Sequence, residues 1–439
     1  LKTFIHASYY DFSSYQQDVY LRFDETIIDM GPMKDFVPHD EDEIIDQTGN
    51  LILPGLICGH THIYSALARG MIIPFQPKNF QEILDQIWWK MDAELDLKMI
   101  ESSAMIFGVD FMKNGVTTII DHHASGKDIK GSLEVLKRVI VDTLGMRGAF
   151  AFETSDRFDV DACIEENMQF LTKYKNSMTQ GLFGLHASSS LSDETLKKVK
   201  KVIGDAPIHI HVAESQDDEN NSFEKYHKPI IHRLYDHGLL NKGSILAHAI
   251  HVNDDELKLI QESQSVVAIN MSSNMNNSVG TPDLHRFIEH KIPILIGNDG
   301  ISQAMTSEYL MTYFQMRHQD QTPNLFGLSD LLEIIQTTYR YASDLFGISL
   351  GRIKKGYQAD LLVIPYVAPT PIDDTNAFGH LFFGLFSSFK PKDVYIAGKP
   401  KVLNYQVPQK WMKHYQASFE DALRLWQTLG VKTYAKNNL

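Results

Sequence analysis

Two imidazoles one residue apart, His60 and His62, end the stretch that runs from Leu53 through Pro54, Gly55, Leu56, Ile57, Cys58 and Gly59. Side chains alternate along a strand, so both rings face one way, about 6 to 7 Å apart along the backbone, and one ion can bridge them. The pair reads as half of a metal site or, alternatively, as a polar loop after a buried strand. Other apolar runs also end in groups that carry chemistry: His186, His211 with Glu214, His248, and Asn298-Asp299-Gly300. A single buried histidine is ordinarily a hydrogen-bonded core residue, but several aligned at one face make a set of donors. Only two cysteines, Cys58 and Cys163, are present, in no C-x-x-C spacing, so histidine and carboxylate must hold any ion.

The elements that position these groups read as short apolar runs of strand length separated by longer segments with helical periodicity. Eight such strands are expected. The first leads into His60, followed by Val116–Asp121, Arg147–Phe152, Leu182–His186, Ile208–Ala213, Ser244–His248, Val266–Asn270 and Pro293–Asn298. Eight strand-helix units within residues 54–351 predict an α/β fold of the TIM type, a (β/α)8 barrel, in which functional groups gather at the C-terminal ends of the strands. No G-x-G-x-x-G follows an early strand, so a dinucleotide-binding fold lacks its fingerprint. Helices are expected over Leu97–Lys113, Ser132–Leu144 and Asn253–Glu262, punctuated by Asn114-Gly115, by Gly145, and by an asparagine with two aspartates.

Both chain ends have a different texture. Val19–Phe23 and Thr26–Met30 alternate like strands of a small sheet, and Gly356–Ile364 and Asp393–Lys399 repeat that texture. A small β-sandwich domain built from residues 1–53 and 352–405 is therefore expected, with residues 406–439 as a C-terminal helical segment. There Trp411, Tyr415, Phe419 and Trp426 recur at helical spacing, a stripe for packing on the chain itself or for a homodimer contact.

With 439 residues, 43% hydrophobic and 22% charged, the chain is an ordinary globular one with material for a full core. Its 41 basic and 55 acidic residues give a net charge of -14, without a basic block to follow a phosphate backbone, which argues against nucleic acid as a partner. No run of about 18 apolar residues suggests a membrane span, and Leu1–Tyr20 lacks the basic-then-apolar texture of an export signal. A cytoplasmic location is the simplest expectation.

Four motifs, Pro54-Gly55-x4-His60-x-His62, His211-x-x-Glu214, Ala247-His248 and Gly297-x-Asp299-Gly300, resemble the amidohydrolase superfamily, within it the cytosine deaminase, guanine deaminase and triazine hydrolase branch. Ile87-Trp88-Trp89, Asp121–Ser125, Phe152–Arg157, Ser273–Asn277 and Pro369-Thr370-Pro371 further resemble the SsnA-type aminohydrolases. The resemblance implies His60, His62, His211 and Asp299 as ligands of one divalent metal ion, zinc first, with iron and manganese as alternatives. It sets Glu214 and His248 beside the bound water. Three neutral imidazoles and a carboxylate leave a position for water, whose pKa falls toward ~7 on such an ion. Expelling an amine requires proton delivery to a ring nitrogen and then to the leaving group, the task of Glu214, His248 and Asp299.

His209 shares a strand face with His211. His211 is chosen for its place nearer the strand end and for Glu214 at the family offset, which leaves His209 to the core or to a supporting position. No lysine lies on the fourth expected strand, so the carbamylated lysine of two-metal relatives has no candidate there. Substrate contacts are expected from His186, Glu153, Arg157, His122, with its neighbour His123 at the barrel mouth, and from Ser273 and Asn274. The segment Met71–Trp89, with Phe75, Phe80, Trp88 and Trp89, is either an aromatic lid over the mouth or packing. Two departures, Ser188-Ser189-Ser190 where relatives continue H-A-P-[FY]-[ST], and Asn298 where they have threonine, alter groups flanking the pocket. The expected activity is a metal-dependent aminohydrolase (deaminase) acting on a small purine, pterin or pyrimidine-like heterocycle. Hydrolysis of a ring amide or of a triazine substituent is the alternative chemistry, and a non-catalytic binding barrel is the alternative of another class.

Overall fold

The computed structural model describes residues 1–431. The N-terminal strands are β1 (Lys2–Tyr10), β2 (Tyr15–Phe23), β3 (Ile27–Pro32), β4 (Glu43–Asp46) and β5 (Asn50–Pro54). Parallel strands follow: β6 (Leu56–Thr61), β7 (Val116–His123), β8 (Arg147–Phe152), β9 (Thr179–Gly181), β10 (Phe183–Ala187), β11 (Ile208–Val212), β12 (Ile245–His248), β13 (Val266–Ile269) and β14 (Ile294–Ile296). The chain then adds β15 (Leu361–Pro365), β16 (Asp393–Ile396) and β17 (Lys399–Val402).

Strands from both ends join one sheet in the order β17-β16-β15-β5-β1-β2-β3, with β4 beside β1. The joint is β5, parallel to β1 at Tyr9 and Ile52 and antiparallel to β15 at Ile52 and Val363. Where the sequence suggested a sandwich, the hydrogen bonding is therefore continuous through all eight strands. Phe4, Phe23 and Tyr395, drawn from both ends, meet edge-on in one apolar core with Leu21, Ile52, Leu361 and Val363.

The parallel strands run in two groups, β6-β7-β8-β9 and β10-β11-β12-β13-β14. Every residue of β6, β7, β8 and β10 to β14 is buried, the pattern of strands covered on both faces. The expected fourth strand, Leu182–His186, is β10 with a shift of one residue, and a short strand that was not expected, β9, precedes it, β9 bonding to β8 and β10 to β11. Between the groups, the Thr154 amide donates to the Gly184 carbonyl at 3.1 Å. At the other side, the Asn298 amide donates to the His60 carbonyl at 2.9 Å. Gly297 permits that approach, because a Cβ there would lie 2.6 Å from the same carbonyl oxygen.

Helix ends follow the expected chemistry with small shifts. Asp96 caps Leu97–Lys113 by accepting from the Met99 amide, and Asn253 with Glu256 forms a reciprocal capping box on Asp254–Glu262. Ser132–Leu144 begins as an α-helix and widens into a π-helical turn at Arg138–Thr143. The helix Gln409–Thr428 lies on Leu97–Lys113, with the Trp426 indole donating to the Leu67 carbonyl, Tyr415 donating to Asp110, and Trp411 buried. Phe419 is the exposed member of that aromatic stripe. Among the described residues no helix is long and apolar enough to cross a membrane.

Candidate active site

Strand ends bring four donors together. His60 is the residue before the last of β6, His62 follows the strand, His211 lies near the end of β11, and Asp299 comes three residues after β14. One ligand atom of each lies within 4.8 Å of the others. Asp299 Oδ1 is 3.1 Å from His60 Nε2 and 3.0 Å from His62 Nε2, and the Nε2 atoms of His62 and His211 are 3.0 Å apart.

Their partners fix the tautomers. His62 Nδ1 donates to the His122 carbonyl at 2.6 Å, and His211 Nδ1 donates to the His186 carbonyl at 2.9 Å. Each Nε2 therefore presents a lone pair, and two lone pairs 3.0 Å apart repel unless a positive charge stands between them. His60 Nδ1 meets His209 Nε2 at 2.8 Å, so His209 backs His60 while His211 faces the cluster. Burial lowers the His60 pKa to about 4 and that of His211 well below its ordinary value, the neutral form an ion requires. At His62 burial is outweighed by the adjacent carboxylates of Asp299 and Glu153, which raise its pKa, while the imidazoles crowded around Asp299 hold its pKa low against its own burial. The donors thus favour a positive charge at their centre, and their set of three imidazoles and one carboxylate fits a divalent ion.

Glu214 and His248 complete the wall. His248 ends β12 with a left-handed φ of 71°, and Asp299 and Ala213 also have positive φ, strain that the packed strand ends hold in place. His248 Nδ1 pairs with Asn274 Oδ1 at 2.8 Å, which turns Nε2 toward Glu214 Oε2 at 3.5 Å and Asp299 Oδ1 at 3.9 Å. Burial, with a contribution from Asp299, raises the Glu214 pKa to about 7, so this carboxyl group is poised to hold or release a proton. Ser273 Oγ donates to Asp299 Oδ2 at 2.6 Å and fixes that carboxylate.

A cleft opens on this cluster, lined by His62, His211, Glu214, Asp299, His186 and Ser273, with Phe80, Trp88 and Trp89 from the expected lid segment. Phe75 is half-exposed and does not line it. The other expected substrate contacts stand behind the lining. Arg157 makes two bonds to Asp92, at 3.1 and 2.9 Å, and its guanidinium stacks over Trp89 at 4.8 Å. Glu153 is buried between His62, His122 and His186, and Asn274 holds His248. His122 is buried against His209, ring on ring at 4.4 Å, and His123 bonds to Ser125. These residues are placed to orient the lining; the sequence could not separate strand-end side chains that face the cleft from those that turn inward. It also passed over Asn277, Asp217 and Asp218, which line the cleft on helical turns beyond the strand ends.

Residues 51–401 match the Amidohydrolase family. A 5'-deoxyadenosine deaminase of Methanosphaera stadtmanae is 27% identical over 365 residues, 80% of this chain and 82% of that protein. A 5-methylthioadenosine/S-adenosylhomocysteine deaminase of Pyrococcus furiosus is 26% identical over 345 residues, 75% of this chain and 79% of that one. An adenosine deaminase from Xanthomonas campestris, solved with bound zinc, superposes with a TM-score of 0.82 at 18% identity over 98% of both chains. Donor set, strand order and family match agree: this chain belongs to the amidohydrolase family and is a hydrolase of carbon–nitrogen bonds.

Proposed function

We propose that the protein is a zinc-dependent aminohydrolase that removes the exocyclic amine of a purine nucleoside of the adenosine type and releases ammonia. The coarser activity, metal-dependent deamination of a nitrogen heterocycle, is the one that family and relatives share. The observation that carries it is the four-donor cluster whose two imidazoles, locked by backbone carbonyls, turn bare Nε2 atoms to one point. In this reading the parallel strands close into a (β/α)8 barrel over residues 54–351. The chain-end strands form a separate small domain from residues 1–53 and 352–405, and the expected C-terminal helical segment, 406–439, is represented by the helix Gln409–Thr428, its residues 432–439 lying outside the described ones.

His60, His62, His211 and Asp299 would hold one divalent ion. When bound, that ion supplies acidified water at neutral pH. Asp299, kept ionised by its neighbours and fixed by Ser273, takes a proton from the attacking water at Oδ1. Glu214 carries a proton to the ring nitrogen and then to the departing amine, and its unpartnered Oε1 is the atom free to do so. His248, aimed by Asn274, holds Nε2 beside both carboxylates and stabilises the oxygen that replaces the amine. Phe80, Trp88 and Trp89 offer apolar surface for the ring and exclude water. Zinc-loaded protein incubated with adenosine, 5'-deoxyadenosine and 5'-methylthioadenosine tests the proposal by ammonia release. Turnover of at least one nucleoside supports it, and release from a free base or a cyclic amide alone would replace it.

A further inference from the structure

The charge of the cleft narrows the substrate class within that reading, on which this inference rests. Five carboxylates line it: Asp92, Glu214, Asp217, Asp218 and Asp299. Two have assigned partners, Asp92 in Arg157 and Asp299 in His60, His62 and Ser273. The others do not close on a cation. Glu214, on the lining, is buried to nine-tenths and its Oε1 lacks a partner; Asp218 Oδ1 also lacks one, and Asp217 is exposed.

Among the described residues no lysine or arginine lines the cleft. Arg157 is the guanidinium behind it, but both of its terminal nitrogens face Asp92 and its plane lies over Trp89 and Phe158. His186 turns Nδ1 away to Ser190 Oγ at 2.6 Å. The chain's net charge of -14 adds a field of the same sign. The donors lie at the buried end of the lining and Asp217 at its exposed end, so a ring held at the donors has its remaining substituents on the Asp217 side.

We infer that the cleft selects neutral or cationic nucleosides and rejects those bearing a phosphate or carboxylate, because the wall between its donor cluster and its mouth offers acidic side chains and no guanidinium or ammonium. An anionic tail there would face Asp217 and Asp218 with no guanidinium or ammonium to receive it, whereas an ammonium would meet carboxylates and aromatic faces together.

The test is a matched 5'-series on zinc-loaded protein, read by ammonia release and by thermal stabilisation. Its members are adenosine, 5'-amino-5'-deoxyadenosine, adenosine 5'-monophosphate and the adenosine 5'-dimethyl phosphate triester, which has the bulk of the phosphate without its charge. The expected kcat/KM for the monophosphate lies roughly 10²-fold below that of the triester, the scale on which opposed like charges discriminate, and the amine is at least as good as adenosine. The gap should shrink between about 0.02 and about 0.5 M salt as screening grows. Asp217→Lys should narrow it roughly 10-fold, which a purely steric barrier would not do. A monophosphate turned over as well as the triester overturns the inference, and so does a triester as poor as the monophosphate, which would make bulk the barrier. If every nucleoside neither reacts nor stabilises the protein, the nucleoside reading itself falls and the inference falls with it.

Discussion

The ends of the parallel strands and the sheet built from the chain ends bury polar groups in opposite ways. In the chain-end sheet, the buried Arg22 is fully engaged: Nε and Nη2 donate to the two oxygens of Asp42 at 2.9 and 2.7 Å, and Nη2 also reaches the Val37 carbonyl. Asp42 accepts further bonds from Thr3 and the His39 amide. Among the described residues no buried side-chain polar atom of its strands lacks a partner. At the strand ends around Asp299, by contrast, both nitrogens of His122, His209 Nδ1, His248 Nε2, Glu153 Oε1, Glu214 Oε1 and Asp121 Oδ2 have none. Each unpaired buried group costs about 1 to 3 kcal/mol, and Glu214 Oε1 and His248 Nε2, beside the donor cluster, are the ones among them that a ligand in the cleft can complete. One region is built to be stable alone, the other to be finished by what it binds.

The sharpest way to break that contrast is to remove a donor. His62→Ala or His211→Ala should leave the protein folded but without its ion, and ammonia release should fall to background. Full metal content in both variants would place the site elsewhere. Asp299→Asn should damage metal retention and turnover together, since its Oδ1 meets two of the donor imidazoles.

Next in size is Glu214→Gln, which keeps volume and removes the proton carrier. Turnover should fall by roughly 10² to 10⁴-fold with the ion retained, the usual contribution of a positioned acid-base group. Parent-like turnover would remove Glu214 from the proton path.

For the supporting structure, Arg147→Met is the probe. This fully buried guanidinium on β8 pairs with Asp360 and donates to Gln358 Oε1 at 2.7 Å, tying the parallel strands to the residues that lead into β15. Stranding Asp360 should cost about 3 to 5 kcal/mol of stability, measured by urea unfolding, without altering metal stoichiometry in the folded fraction.

The smallest expected effect concerns pH. Hydrogen bonds from Arg22 first, then from the His39 amide and Thr3, outweigh burial and hold Asp42 well below its ordinary value near 3.8. A depressed carboxylate contributes its full stabilisation above the pKa of the unfolded group and loses it progressively as pH falls from there through the lower folded value. Asp42→Asn should therefore lower the thermal midpoint at pH 6 and flatten its decline below about pH 4. An unchanged acid profile would show that the pair is not a pH-dependent part of the sheet.

How much of this was legible in the sequence follows from what each residue needed. The order of eight parallel strands was readable because strands covered on both faces show as continuous apolar runs, and the donors were readable because they end those runs. The short strand β9 before the fourth of them was not, since its place is set by pairing with β8, and Gly184 beyond it packs on the Phe152 backbone, where a Cβ would lie 2.1 Å from its carbonyl oxygen, a contact 32 residues away in the chain. Nor was the turning of Glu153, Arg157 and Asn274 away from the cleft, because their partners Asp92, His62 and His248 come from other strand ends and loops. Spacing identifies which residues reach the mouth. Direction depends on partners that are distant in sequence.

The most direct test of the central claim is elemental analysis of the native protein and Glu214→Gln side by side. One ion held by His60, His62, His211 and Asp299, with Glu214 beside it as proton carrier, predicts about one divalent ion per chain in both. Two tightly held ions per native chain, or loss of the ion in Glu214→Gln, would contradict it.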